Sequence, residues 1–255
     1  MAIFRGDTSF DGISPSIFRL ETTWDNGKKS AHGTAFVVAM LRDSRRLVLA
    51  TAKHVLDFPE NETVWWKARQ FDEHGRVQRQ ISFGTDHGLL GGVPYRVHKK
   101  FDIGVLVLPA NGDDKGHLAR PGETPVRVIA IDEGVSTGTR IAWAGFPAVM
   151  EDLLGFPQLC YFEGVVSAMV NDGKRPFYIV DGHVSEGVSG GPVWQWNEEK
   201  SRLEVVGIVV SYTPGPSRLP GFCQFEPINP IMYFLETEAW HPDTLGDHLI
   251  TNRRG

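Results

Sequence analysis

A serine among glycines at 189, a histidine at 54 and an aspartate at 102 are the residues of this chain whose settings could support chemistry. Ser189 lies in DGHVSEGVSGGPVW, residues 181–194, with Gly187, Gly190, Gly191 and Pro192 close by. Clustered glycines weaken a strand and favour a tight turn with closely approaching backbone. Such a turn can expose the Ser189 hydroxyl and aim successive N–H groups into one small space. Acyl transfer needs that combination, a nucleophilic oxygen beside donors for the oxyanion that forms on attack. A Gly-rich β-turn without chemical consequence fits the same residues, so the motif alone does not decide.

Two upstream stretches do. In LVLATAKHVL, residues 47–56, an apolar strand runs into a small-residue turn that carries His54. In FDIGVLVL, residues 101–108, Asp102 stands at the mouth of a buried apolar strand. An aspartate is rarely buried unless paired, and His54 is its natural partner. GVSGG also satisfies the GxSxG pattern of α/β-hydrolases, where the serine precedes its acid and histidine. That fold needs a helix directly after the serine, whereas Gly190-Gly191-Pro192 is followed by VWQW, which reads as strand. His241 and His248 follow the serine, but in a Pro- and Gly-containing tail with no apolar strand before either.

TAKHV, FDIGVLVL and GVSGGPVW, in that order, resemble the three signature blocks of chymotrypsin-fold serine peptidases. AWAGFP at 142–147 and EGVVSA at 163–168 are most similar to the HtrA-like bacterial branch, and the resemblance spans residues 30–235. It implies an all-β fold of two antiparallel six-stranded barrels, chymotrypsin-like, with a short C-terminal helix. Residues 1–120 would form the first barrel, with His54 and Asp102, and residues 121–255 the second, with Ser189. It implies a serine endopeptidase in which Ser189 attacks, His54 is the general base and Asp102 fixes the histidine tautomer. The N–H groups of Gly187 and Ser189 would hold the oxyanion. The substrate would be a protein or peptide, aligned by β-addition along residues 209–212. A pseudo-peptidase that keeps the fold as a protein-binding module is the alternative, although all three triad residues are intact.

The resemblance also locates a specificity pocket, walled by His183 and Val184 on one side and Val210, Ser211 and Tyr212 on the other. Relatives that cut after lysine or arginine keep an aspartate six residues before the serine, and His183 stands there. A neutral imidazole leaves a desolvated cation without a partner, so small or medium aliphatic side chains are expected before the cut. Secreted trypsin relatives place an aspartate just before the serine to pair with a newly cut N-terminus. Val188 holds that position and can form no ion pair, so activation by N-terminal cleavage is not expected.

The elements that must position these groups are many short strands. The 255 residues can bury a full core, and 28 glycines with 16 prolines punctuate short apolar runs. Strands are expected over 16–22, 33–38, 46–50, 63–69, 77–83, 102–108, 139–144, 159–169, 177–180, 192–196, 203–212 and 222–226. WDNGKKS at 24–30 reads as a hairpin turn, 110–125 as the linker between barrels, and 227–238 as the terminal helix before a polar tail. His32 is expected in a loop, and His74, His87, His98 and His117 on the solvated surface.

A net charge of −5 with interspersed signs points to neither nucleic acid nor an anionic membrane. No HExxH or CxxC supports a metal, and no cofactor is implied. The first 16 residues lack a signal-peptide core, and no run is long enough to span a membrane. With two cysteines, Cys160 and Cys223, a disulfide framework is not expected, and a cytoplasmic location is. The resemblance includes no PDZ domain, and the sequence leaves open a regulatory partner or a homo-oligomer.

Overall fold

The short apolar runs become fourteen strands among the residues that the computed structural model describes: 13–41, 47–58, 63–72, 74–84, 95–108, 135–171, 173, 175–182, 184–199, 202–213, 222–231 and 249–250. In the first half these are β1 Ile17–Trp24, β2 Lys29–Leu41, β3 Leu47–Thr51, β4 Trp65–Phe71, β5 Val77–Gly84, β6 Tyr95–Val97 and β7 Gly104–Val107. The β1–β2 hairpin turns as the DNG signal predicts, with Asp25 and Asn26 both at φ 53° and Gly27 at 83°. Every residue of β3 is buried, because β2 and β7 flank it and side chains cover both faces.

The second half contains β8 Arg140–Gly145, β9 Cys160–Asn171, β10 Pro176–Asp181, β11 Pro192–Asn197, β12 Arg202–Thr213 and β13 Phe222–Pro227. These six close into an antiparallel barrel in the order β10-β13-β12-β11-β8-β9. The second barrel is therefore six-stranded, as expected. The first is not closed among the described residues: its sheet runs β5-β4-β1-β2-β3-β7-β6, and no pairing joins β5 to β6. An eighth strand, β14 Leu249–Ile250, pairs with Met40 and Leu41. It can do so because β1 covers β2 only as far as Phe36 and leaves that end uncovered.

Three apolar clusters fill the molecule. One lies within the first sheet around Trp66, Phe83 and Leu49, and one within the barrel around Trp143, Phe225 and Val209. The third joins the two halves: Phe36, Val38, Val105 and Val107 pack with Ala142, Ala144, Trp194, Ile208 and Val210. The alternation that sends Trp143 inward sends Ala142 and Ala144 to this shared layer.

Several expectations change. A helix not anticipated, α1, spans Ala148–Leu154 and ends at Gly155 in the left-handed conformation. Of the expected terminal helix, Pro227 instead ends β13 and residues 229–231 are helical, while 232–238, like the 110–125 linker, lie outside the described residues. His98 is buried rather than solvated, because its Nδ1 accepts the N–H groups of Lys100 and Phe101, each at 3.0 Å, and organises the turn before Asp102. His32 lies in β2, not in a loop. His87 and His117 lie outside the described residues. Cys160 and Cys223 are free thiols, and burial raises the pKa of each. Among the described residues no helix is long and apolar enough to cross a membrane.

Candidate active site

His54 is carried by a 3-10 turn, Lys53–Leu56, that begins one residue after β3. The turn is held against the segment before β7, where the Lys53 N–H donates to the Asp102 carbonyl at 3.2 Å. The Asp102 carboxylate then takes two bonds from one residue. The His54 N–H donates to Oδ1 at 3.0 Å, and the ring Nδ1 lies 2.9 Å from Oδ2. A carboxylate only accepts, so Nδ1 carries the proton and Nε2 is left as the basic nitrogen. The Asp102 side chain is 16% exposed and that of His54 is 47% exposed, so the acid is sheltered and the base is open. Burial raises the Asp102 pKa, but the His54 bonds and charge, with Arg175, outweigh it and hold the carboxyl below its ordinary value. The pairing expected from the sequence is thus present.

Ser189 sits on the turn before β11, half-buried, next to the fully enclosed Gly190 and Gly191. Gly190 has φ +87°, and a Cβ there would lie 2.0 Å from the Thr34 carbonyl oxygen and 2.3 Å from Thr51 Oγ1. The serine turn is therefore pressed onto β2 and onto the end of β3, three residues before His54. A residue with a side chain could not follow Ser189 here. Among the described contacts the Ser189 hydroxyl makes no hydrogen bond; such bonds often tighten only when substrate is bound.

The N–H groups of Val188, Gly190 and Gly191 donate to the carbonyls of Ser185, Val209 and Val188. Those of Gly187 and Ser189 have no partner among the described residues, which leaves two donors for an oxyanion. Gly187, at φ +90°, is wedged against the Phe146 carbonyl oxygen, which an added Cβ would approach to 2.2 Å.

Thr34, which sequence reading did not single out, holds this turn in place. Its N–H donates to the Ser189 carbonyl at 2.8 Å, and its Oγ1 donates to the Gly187 carbonyl at 2.7 Å. The same Oγ1 accepts the Phe146 N–H at 3.0 Å, and the Thr34 carbonyl accepts Thr51 Oγ1 at 2.7 Å. The Ala148 N–H at the start of α1 adds a bond to the Glu186 carbonyl at 2.8 Å.

The residues assigned to the specificity pocket separate. Val184 is buried inside the barrel with Val188 and Val209, and Val210 is buried in the layer between the halves. The Ser211 hydroxyl donates to Gln224 Oε1 at 2.7 Å. His183 and the side chain of Tyr212 lie outside the described residues. Past Val209, β12 keeps β13 on one side but has no strand on the side of the serine turn among the described residues. That open edge is where an extended peptide could add.

Glu226 of β13 was also missed. Its Oε2 accepts the Asp102 N–H at 2.8 Å, and its Oε1 lies 2.7 Å from Arg175 Nη1. The available signal was an acid within the apolar run FCQFEP, the same kind of signal that drew attention to Asp102.

A model of the trypsin-like peptidase domain matches residues 33–208. Among solved structures, the active form of the Rv3671c protease from M. tuberculosis is similar at TM-score 0.55 and 15% identity, over 91% of this chain and 85% of that one. The inactive form of a serine-to-alanine mutant of Rv3671c aligns at TM-score 0.49 and 16% identity, over 88% and 86%. Among curated proteins none matches the sequence.

Proposed function

Because this chain belongs to the trypsin-like peptidase domain family, we propose that it is a serine endopeptidase with His54, Asp102 and Ser189 as its triad. The observation that carries this reading is the double grip of Asp102 on His54, by backbone and ring nitrogen together. In this mechanism Ser189 Oγ attacks the peptide carbonyl while His54 Nε2 takes its proton. The carbonyl oxygen becomes an oxyanion between the Gly187 and Ser189 N–H groups. Asp102 stabilises the imidazolium without taking up a proton, and His54 then protonates the leaving amine. Water attacks the acyl-enzyme by the same route. The substrate backbone pairs with the open edge of β12 beyond Val209, and both halves together form the two-barrel architecture, divided near residue 120.

The preference for small or medium aliphatic residues before the cut remains part of this reading, and it rests on His183 in place of an acid. Cytoplasmic residence does too, supported by the two free thiols. Val188 is fully buried, which supports competence without N-terminal cleavage. Replacing Ser189 by Ala should lower peptide turnover about a millionfold where triad members act as a unit. A peptide-library digest read by mass spectrometry tests both parts. Cleavage after valine, alanine or leucine that vanishes in the Ser189→Ala protein is expected. Unchanged turnover in that variant would refute the triad, and dominant cleavage after arginine or lysine would refute the pocket.

A further inference from the structure

Glu226 is an acid that the triad chemistry does not require, yet it is fully buried directly behind Asp102. Replacing a buried ion pair by apolar residues is often neutral or stabilising, so stability alone does not explain its presence. Both oxygens of the Asp102 carboxylate are engaged by His54. The N–H of Asp102 points the other way, across to the barrel, and Glu226 Oε2 receives it at 2.8 Å. Arg175, just before β10, sits 2.7 Å from the other oxygen with its side chain 38% exposed. Glu226 thus links the acid on the first sheet to the barrel that carries Ser189.

We propose that Glu226, anchored by Arg175, is a positioning residue that sets Asp102, and through it the His54 ring, relative to the barrel bearing the nucleophile. This role rests on the peptidase reading.

The electrostatics agree. Burial pushes the Glu226 carboxyl up to about 7, against the lowering pull of Arg175 and of the Asp102 N–H, while the charge of Asp102 raises it further. The charged groups facing it are Arg175 from the β9–β10 connection and Asp102, with His54 behind, from the segment before β7. Its register partner on β12 is the apolar Ile208. A carboxylate accepts an N–H more strongly than a neutral acid, so the grip on Asp102 is firmest above about pH 7. For stability the sign is opposite. A carboxyl raised from 4.5 to about 7 by folding favours the folded state while protonated, and that contribution is lost as pH rises through this window.

The test is Glu226→Gln, which keeps the shape and an acceptor oxygen but removes the charge. In wild type the Asp102 amide proton should follow the ionisation of Glu226 by NMR with a midpoint near 7, and E226Q should lose that component. Turnover should fall about tenfold with KM within about twofold, as expected for a charge-assisted bond to a positioned group. At pH 8 the E226Q protein should melt at or above the wild-type temperature, which a purely structural role would not give. Should E226Q fail to fold, Arg175→Gln serves instead, and the Asp102 titration should then move to higher pH. A wild-type Asp102 amide that does not titrate, or E226Q with unchanged kcat and pH profile, overturns the proposal. The NMR titration reads the contact whether or not peptide is cleaved. Expected titration without hydrolysis therefore counts against the peptidase reading alone.

Discussion

Thr34 shows how much of the proposed active site depends on a residue that takes no part in the proposed chemistry. Each of its polar atoms is engaged on or beside the serine turn, linking it to Ser189, Gly187, Phe146 and Thr51. Thr34→Val keeps the shape but strands the Gly187 carbonyl and the Phe146 N–H, at about 1–3 kcal/mol for each buried orphan. The variant should unfold at lower urea and lose at least about tenfold in kcat as the oxyanion donors drift. Wild-type kcat would contradict the role. Asp102→Asn should lower kcat by about ten-thousandfold, the loss known for that change in a Ser-His-Asp triad, because an amide no longer fixes the Nδ1–H tautomer. Steady-state kinetics on one peptide substrate checks both. The pairing of Asp102 with His54 was legible in the sequence because an acid at the mouth of an apolar strand demands a partner. Thr34 was not, since a threonine in a strand is ordinary and its decisive bond reaches across 153 positions. Glu226 carried the same signal as Asp102, but no motif led to it.

At the scale of elements, nearly every strand was legible from apolar runs bounded by glycine, proline and polar turns. The exceptions have physical reasons. The three-residue β6 and two-residue β14 are too short to show a period and exist through their partners β7 and β2. The α1 segment, PAVMEDLLG, has a proline before it and a left-handed glycine after it, but its seven residues bury none of their side chains. Periodicity therefore had no apolar stripe to reveal. What holds α1 is Glu151, which accepts from Arg19 Nη2 at 2.5 Å, and the Ala148 N–H on the Glu186 carbonyl. Arg19 lies in β1 with its side chain 9% exposed, while the Glu151 side chain is 40% exposed. Burial lowers the Arg19 pKa and the charge of Glu151 opposes that. Glu151→Gln should cost about 1–2 kcal/mol, less than a fully buried pair because water already reaches the glutamate. It should also speed amide exchange at 186–188, where α1 braces the serine turn. Hydrogen-exchange mass spectrometry would show this, and unchanged exchange there would mean that α1 does not support the turn.

The whole molecule is joined by the third apolar cluster, to which both halves contribute, and the three residues of the proposed triad lie across the same division: His54 and Asp102 beside strands of the sheet and Ser189 on the turn that enters the barrel. Pulling the halves apart would expose Val38, Val105, Trp194, Ile208 and Val210 at about 25 cal/mol for each Å² of apolar surface. The chain should accordingly unfold in one transition, seen together by circular dichroism and tryptophan fluorescence, and residues 1–120 and 121–255 made separately should not fold alone. Two separate transitions would contradict this. The closed barrel of the second half was legible from its run of short apolar strands, but the edges of the first sheet, where no pairing joins β5 to β6 among the described residues, were not, since closure depends on which edge strands meet. In the proposed mechanism the two halves assemble one nucleophilic centre. It is tested most directly by treating the protein with a fluorophosphonate and mapping the adduct by mass spectrometry. A single adduct on Ser189, lost in the His54→Ala protein, is the predicted result. No adduct, an adduct on another serine, or undiminished labelling without His54 would contradict it.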